Sequence, residues 1–191
     1  MMNKDKQETR KKILEAVTDI LNEGYASDQI TVRQIAEKAN VGIGTINYHF
    51  DSKEKLLYEA VSNLLVDLAD DLRENAVEII SPPERLRNFL IKTSDLVAEY
   101  EKAFRVPIAY DLTQGDMSLN YYFIPLLKEI FGDVKSELEL KMLSLQILLP
   151  MQTIFLNDRA FWKFTGKDIF QKEQRDELID LILKNVLGAH Y

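Results

Sequence analysis

Apolar residues recur at helical spacing along almost the whole chain. Ile13, Ala16, Val17, Ile20 and Leu21 share one helical face within residues 6–22, and Gly24 supplies the stop. After the loop YASDQI, Thr31 stands at an N-cap position with Gln34 three residues on, the spacing of a capping box. The short helix it opens buries Ile35, Ala36 and Ala39, and Asn40 ends it because asparagine tolerates the left-handed region. Gly42 begins a second short helix with Ile46 and Phe50 at i and i+4 on its inner side. Asp51 or Ser52 then caps a long helix to about residue 79, with Leu57, Val61, Leu64, Leu65, Leu68 and Leu72 as its stripe. Two short helices joined by a tight turn, after a longer one, form the helix-turn-helix arrangement.

The second part of the chain continues in the same period. Ser81-Pro82-Pro83 breaks it and opens a helix bearing Leu86, Phe89, Leu90 and Leu96 that ends near Glu101, since proline fits a first turn. Residues 102–112 carry Phe104, Val106, Ile108 and Tyr110, with Pro107 limiting their regularity. TQGDMSLN reads as a loop, and YYFIPLLKEIF as a short helix bent or started at Pro125. Gly132-Asp133 ends that helix and caps the next. From Lys135 to Leu156 apolar residues occupy nearly every face, and such a helix must be covered on all sides. NDRAFWKFTG reads as a loop in which Phe161, Trp162 and Phe164 cluster. The last helix, 172–187, has a stripe at Leu178, Leu181, Ile182 and Val186, with Ile179 and Leu183 beside it. Surplus apolar surface on two neighbouring helices predicts a homodimer, with Leu145, Leu148, Leu149, Leu178, Leu181, Ile182 and Val186 at its interface. The alternative is a central core helix.

The pattern is all-α, and composition supports it: among 191 residues there are seven glycines and five prolines, too few for a strand-and-turn protein. No cysteine is present, which excludes disulfides, thiolate catalysis and cysteine-ligated zinc. His49 and His190 are too few for a histidine-rich site, so no metal or cofactor is expected. Without a histidine–carboxylate–nucleophile pattern or a glycine-rich phosphate loop, an enzyme is not expected either. The first residues, MMNKDKQETRKK, lack the apolar segment of a secretory signal. The longest uncharged stretch, 142–157, falls short of the roughly 20 apolar residues a membrane span needs, so the expected compartment is the cytoplasm. The net charge of −7 lies wholly in residues 54–191, while residues 1–53 carry eight cations and eight anions. A neutral module can still bind DNA through a few well-placed cations.

Residues 30–57, ITVRQIAEKANVGIGTINYHFDSKEKLL, carry the most specific signal. With the preceding EGY, this segment resembles the N-terminal domain of the TetR family of bacterial transcriptional regulators, over about residues 10–57. The resemblance implies a DNA-binding domain at 1–51 and a ligand-binding and dimerisation domain at 52–191, about nine helices in all. It also implies a soluble homodimer that binds double-stranded operator DNA, by family default a repressor. The residues support that reading themselves. In helix-turn-helix proteins the second short helix enters the major groove. With Val41, Ile46 and Phe50 inward, Ile43, Gly44, Asn47 and Tyr48 face outward. Asn47 can pair with adenine and Ile43 can pack on a thymine methyl. Thr45, Tyr48 and Lys53 can hold phosphates, and Arg33 can reach a phosphate or a guanine. Thr31, at the start of the preceding helix, completes the expected DNA-contacting set. Many family members have tyrosine at the Asn47 position and a polar residue at Ile43, so this helix has few hydrogen-bonding groups.

His49 reads as structural and Phe50 as core, while Gly44 admits close approach of DNA or of the preceding helix. Lys4, Lys6, Arg10, Lys11 and Lys12 form either an arm on the DNA backbone or a solvated end. For an effector the chain offers Phe89, Tyr100, Phe104, Tyr110, Tyr121, Phe155 and Trp162, which favour a small hydrophobic or aromatic ligand. Asp67, Asp70, Asp71 and Glu74 share a helical face that reads as solvated. A ligand-independent architectural or adaptor protein that binds DNA with the same fold is the alternative function.

Overall fold

A computed structural model describes residues 2–75, 80–115 and 117–190, of which 2–4, 67–75 and 118 are described by backbone alone. Among the described residues there are ten α-helices and no strand. They are α1 (Met2–Asn22), α2 (Val32–Ala39), α3 (Ile43–His49), α4 (Lys53–Asn75), α5 (Pro82–Glu99), α6 (Glu101–Gln114), α7 (Phe123–Phe131), α8 (Glu137–Leu156), α9 (Asp158–Thr165) and α10 (Lys172–Leu187). Short 3-10 turns at Ser118–Tyr122, Gly132–Val134 and Gly188–His190 join or follow them. The end expected for α4 near residue 79, and the side chains of Asp67, Asp70, Asp71 and Glu74, lie outside the described residues.

The chain forms two compact units, Met1–Leu64 with Tyr100–Gln114, and Leu65–Glu99 with Gly115–Tyr191. In the first, α1 packs on α2 and α2 on α3. Ile13, Val17, Ile30, Ile35, Leu56 and Leu57 are fully buried there, while Ala39 and Val41, both read as inward, are half-buried. The loop after α1 is tied to the start of α6: Ser27 donates both its N–H (3.0 Å) and its hydroxyl (2.9 Å) to the Lys102 carbonyl. Helix α6 continues through Pro107. One proline forfeits one backbone bond, and the buried Ala103 and Phe104 hold the turn before it.

The second unit is built on Leu86, Phe89 and Leu90 of α5, Phe123, Leu127 and Phe131 of α7, Leu140 and Ile147 of α8, and Ile179, Leu183 and Leu187 of α10. Arg87 binds Asp180 through two hydrogen bonds (2.6 and 3.0 Å), joining α5 to α10. Arg175, itself buried, pairs with Asp95 and donates to the Ile169 carbonyl at 2.8 Å. Burial pushes the Asp95 carboxyl up, but hydrogen bonds from Lys172 and Arg175 outweigh that and hold it below the ordinary carboxylate range.

Three expectations change here. Residues 157–166 are not a loop: 158–165 form α9, which raises the helix count from nine to ten. Gly166 ends α9 in the left-handed region (φ +74°), with its N–H on the Trp162 carbonyl. The cap of α8 is Ser136, not Asp133, and Ser136 and Glu139 form a reciprocal capping box. In α10, Ile179 and Leu183 are core positions within the chain. The residues assigned to a dimer interface divide: Leu148, Ile182 and Val186 pack partly against the unit's own core, Leu145 and Leu178 are half-buried, and Leu149 and Leu181 are exposed. Leu138 and Met142, also exposed, extend the row of Leu145 and Leu149 along α8.

Candidate nucleic-acid interface

The segment from Ile30 to Leu57 is held by three caps. Thr31 accepts the Gln34 N–H (3.2 Å), and the Gln34 carboxamide oxygen accepts the Thr31 N–H (2.8 Å) and hydroxyl (2.8 Å), so the start of α2 is closed reciprocally. At its end Asn40 is left-handed (φ 53°, ψ 48°), its N–H bonds the Glu37 carbonyl at 3.2 Å, and the Val41 N–H bonds that of Ala36 at 3.0 Å. These bonds satisfy the last carbonyls of α2 and turn the chain within three residues. Ser52 then caps α4 by accepting the Lys55 N–H at 3.1 Å.

Between those caps α3 separates its two faces. Ile46 (2% exposed) and Phe50 (3%) are sunk into the unit, whereas Ile43 (47%) and Tyr48 (71%) stand out. Gly42, Gly44 and Asn47 are exposed and Thr45 is half-buried. A β-carbon added at Gly44 would meet nothing within 4 Å, so packing inside the chain, including against the preceding helix, does not require glycine there. An open depression lined by Arg33, Glu37, Asn40 and Ile43 borders the turn.

The neighbouring cations are placed in different ways. Arg33 is exposed and donates to Glu37 at 3.0 Å. Lys53 donates to the Ile30 carbonyl at 3.0 Å, binding the start of α4 to the residue before Thr31. Arg10 pairs with Glu59 and lies 5.0 Å from the Phe50 ring centroid, so it serves the core side of the junction. Lys6 lies over the Tyr48 ring at 4.8 Å from its centroid. The sequence grouped Lys6 with the charged N-terminus, and no local pattern links it to Tyr48. The His49 imidazole is pushed below its ordinary range by burial first, then by the charges of Lys6 and Arg10. Its Nδ1 is buried without a hydrogen-bond partner.

The aromatic residues read as effector-lining fall in both units: Tyr100, Phe104 and Tyr110 in the first, Phe89, Tyr121, Phe155 and Trp162 in the second. Tyr110 packs at a tilt against Tyr58 (5.3 Å between centroids), Phe89 meets Phe123 (5.5 Å) and Phe155 meets Phe170 (6.2 Å) edge to face, while Tyr121 and Trp162 are exposed. Among the described residues, no group of histidines or carboxylates could hold a metal ion, and no helix is long and apolar enough to cross a membrane.

Residues 21–60, which include this segment, match the sequence model for bacterial regulatory proteins of the tetR family. The HTH-type transcriptional regulator BetI 1 of Chromohalobacter salexigens is 32% identical over 79 residues, 41% of this chain and 39% of that protein. The chain therefore matches about two fifths of that relative's length. Solved structures match over nearly the full chain. A TetR transcriptional regulator from Rhodococcus sp. RHA1 is 18% identical with a TM-score of 0.66, covering 97% of this chain and 98% of that one. Thermus thermophilus FadR, solved with lauroyl-CoA, is 21% identical with a TM-score of 0.67, covering 92% and 93%. FadR from Bacillus subtilis, solved with stearoyl-CoA, is 19% identical with a TM-score of 0.56, covering 93% and 97%. The capped helix-turn-helix thus lies in the segment that matches bacterial regulatory proteins of the tetR family, and the helical fold as a whole is shared with solved TetR regulators.

Proposed function

We propose that this chain is a homodimeric, ligand-responsive transcriptional regulator, a repressor that leaves its operator when a small apolar effector binds. Residues 1–51 carry DNA reading, and residues 52–191 carry effector binding and dimerisation. The observation that carries the reading is the division of α3: Ile46 and Phe50 hold it in place while Ile43, Gly44, Asn47 and Tyr48 face out. In a major groove Asn47 makes paired hydrogen bonds to adenine, Ile43 covers a thymine methyl, and Gly44 lets the helix backbone approach the base edges. Thr31, Thr45, Tyr48 and Lys53 serve phosphates. Arg33 exchanges Glu37 for DNA at small cost, since an exposed i,i+4 pair is worth about 0.3–0.5 kcal/mol.

Dimerisation is supported by the exposed row Leu138, Met142 and Leu149 on α8 and by Leu181 on α10. A dimer must hold its two α3 helices roughly 34–36 Å apart to meet successive turns of DNA. An effector that binds a different spacing more tightly shifts the population away from DNA. That the FadR proteins of T. thermophilus and B. subtilis were solved with acyl-CoA supports an apolar effector, and makes lauroyl- and stearoyl-CoA the first probes. The test has two steps. Binding-site selection should return a two-fold operator with A·T at the Asn47 position, a preference that Asn47→Ala abolishes. Titration of the bound operator with the two acyl-CoAs and with aromatic acids should then release it. An operator complex insensitive to every apolar ligand that binds the protein supports the ligand-independent architectural role instead.

A further inference from the structure

We propose that Lys6 of α1 belongs to the reading surface and holds an operator phosphate beside Tyr48, an assignment that rests on the DNA-binding function above. The seven residues of α3 carry no lysine or arginine, so attraction to the DNA backbone has to come from its flanks. Most cations nearby are already neutralised. Arg10 pairs with Glu59, Lys11 with Glu15, Lys12 with Glu8, Arg33 with Glu37, Lys38 with Glu23 and Lys55 with Asp51. Between residues 5 and 64, among the described residues, this leaves Lys6 and Lys53 without a carboxylate partner. Lys53 spends one of its three donors on the Ile30 carbonyl and keeps its charge.

For Lys6 the sequence explains the difference. Side chains three and four positions apart meet on a helix, and those positions around Lys6 are Met2, Asn3, Thr9 and Arg10, with no acid among them. Its ammonium instead lies 4.8 Å from the centroid of the Tyr48 ring, which is largely exposed. An aromatic face attracts a cation without neutralising it. The pair therefore presents a full positive charge and a phenol together at the C-terminal end of α3. The lowered His49 basicity, to which Lys6 contributes, fits a cation close to that end of the helix. Tyr48 positions Lys6, and Lys6 supplies the phosphate contact.

The test uses the operator selected by the wild-type protein and fluorescence anisotropy at stepped NaCl. Lys6→Met keeps the stem and removes the charge; for each protomer it should weaken binding roughly tenfold at 0.1 M salt and lower the salt slope by about 1. Discrimination against single-base operator variants should persist, because a phosphate contact carries no base information. Lys6→Arg should retain affinity and slope. In a Tyr48→Leu background the effect of Lys6→Met should shrink. Unchanged affinity and slope in Lys6→Met overturn the proposal, as does lost affinity with an unchanged slope, which marks a structural role. An undiminished effect in the Tyr48→Leu background overturns the part assigned to Tyr48. If the wild-type protein selects no DNA at all, the proposed function falls with it, and that is visible before any Lys6 variant is measured.

Discussion

Ile46 and Ile43 have the same side chain, three residues apart in a seven-residue helix, and the structure gives them opposite work. Ile46 is 2% exposed and Ile43 is 47% exposed. Ile46→Ala removes three buried carbons, which at about 0.8 kcal/mol each is ~2.4 kcal/mol of transfer energy. The cavity left behind raises the expected loss to about 3 kcal/mol, within the range for such truncations. That lowers the melting midpoint by roughly 6–12 °C for a chain of this size. Ile43→Ala gives up contacts that are half-made already, so its stability loss should stay below about 1 kcal/mol. Operator affinity should reverse the ranking per folded molecule. Losing a thymine-methyl contact costs roughly 1 kcal/mol, about fivefold, while folded Ile46→Ala still presents the same outer groups. Circular-dichroism melts and urea titrations measure the first comparison, and anisotropy at a temperature where both variants are folded measures the second. Equal stability losses, or an Ile46→Ala cost below about 1 kcal/mol, would refute the division of α3 into anchoring and presenting faces.

Other outcomes follow from single contacts. Glu139 is held at about 2 by the N–H and hydroxyl of Ser136 and by Lys135. A depressed carboxylate contributes stability above its unfolded value near 4.5, and loses it as pH falls through its folded value. Wild type should therefore lose more stability than Glu139→Gln between pH 4.5 and 2, read by melts across that window. Arg175→Met leaves Asp95 with Lys172 but strips the Ile169 carbonyl of its donor, and should cost about 2 kcal/mol in urea unfolding. Ser27→Ala removes one of two bonds to the Lys102 carbonyl and should cost about 1 kcal/mol, because the Ser27 N–H keeps that carbonyl satisfied; a loss above 3 kcal/mol would contradict that.

The parts of the fold that were legible in the sequence are those whose signal is local. Thr31 and Gln34 announce the start of α2, Asn40 its end, and the 3.6-residue period the limits of α10 at residues 172 and 187. The same kind of signal, Ser136 with Glu139, marks the cap of α8, but Asp133 beside Gly132 offers a competing start three residues earlier. Helix α9 is hard to recognise because it is only eight residues long, too short for a repeating stripe beyond Phe161 and Phe164, and none of its residues is buried. In the binding segment, Ile46 inward and Asn47 outward could be read from spacing alone. The commitment of Lys53 to Ile30 and of Lys6 to Tyr48 could not, because both join residues far apart in sequence and depend on how α1, α3 and α4 converge.

This distribution of charge makes the salt dependence of the whole complex a sharper test than any one variant. In the proposed complex affinity and specificity sit on different groups: Asn47 and Ile43 are assigned to the bases, while Lys6 and Lys53, without carboxylate partners, are assigned to the backbone. Two such lysines per protomer make four in a dimer, and at about 0.9 per neutralised phosphate their share of the slope of log K against log salt should be near −3.6. Each further cation recruited adds about 0.9, and the cheapest source is Arg33, whose pair with Glu37 is exposed. With Arg33 exchanging Glu37 for DNA as proposed, the wild-type slope should reach about −5.4 and Arg33→Met should return it to about −3.6; a slope unchanged by Arg33→Met would remove Arg33 from the contact set. A wild-type slope near −9 would require about half of the carboxylate-paired lysines and arginines around the reading helix to release their partners on DNA, and would overturn the assignment of the backbone contact to Lys6 and Lys53.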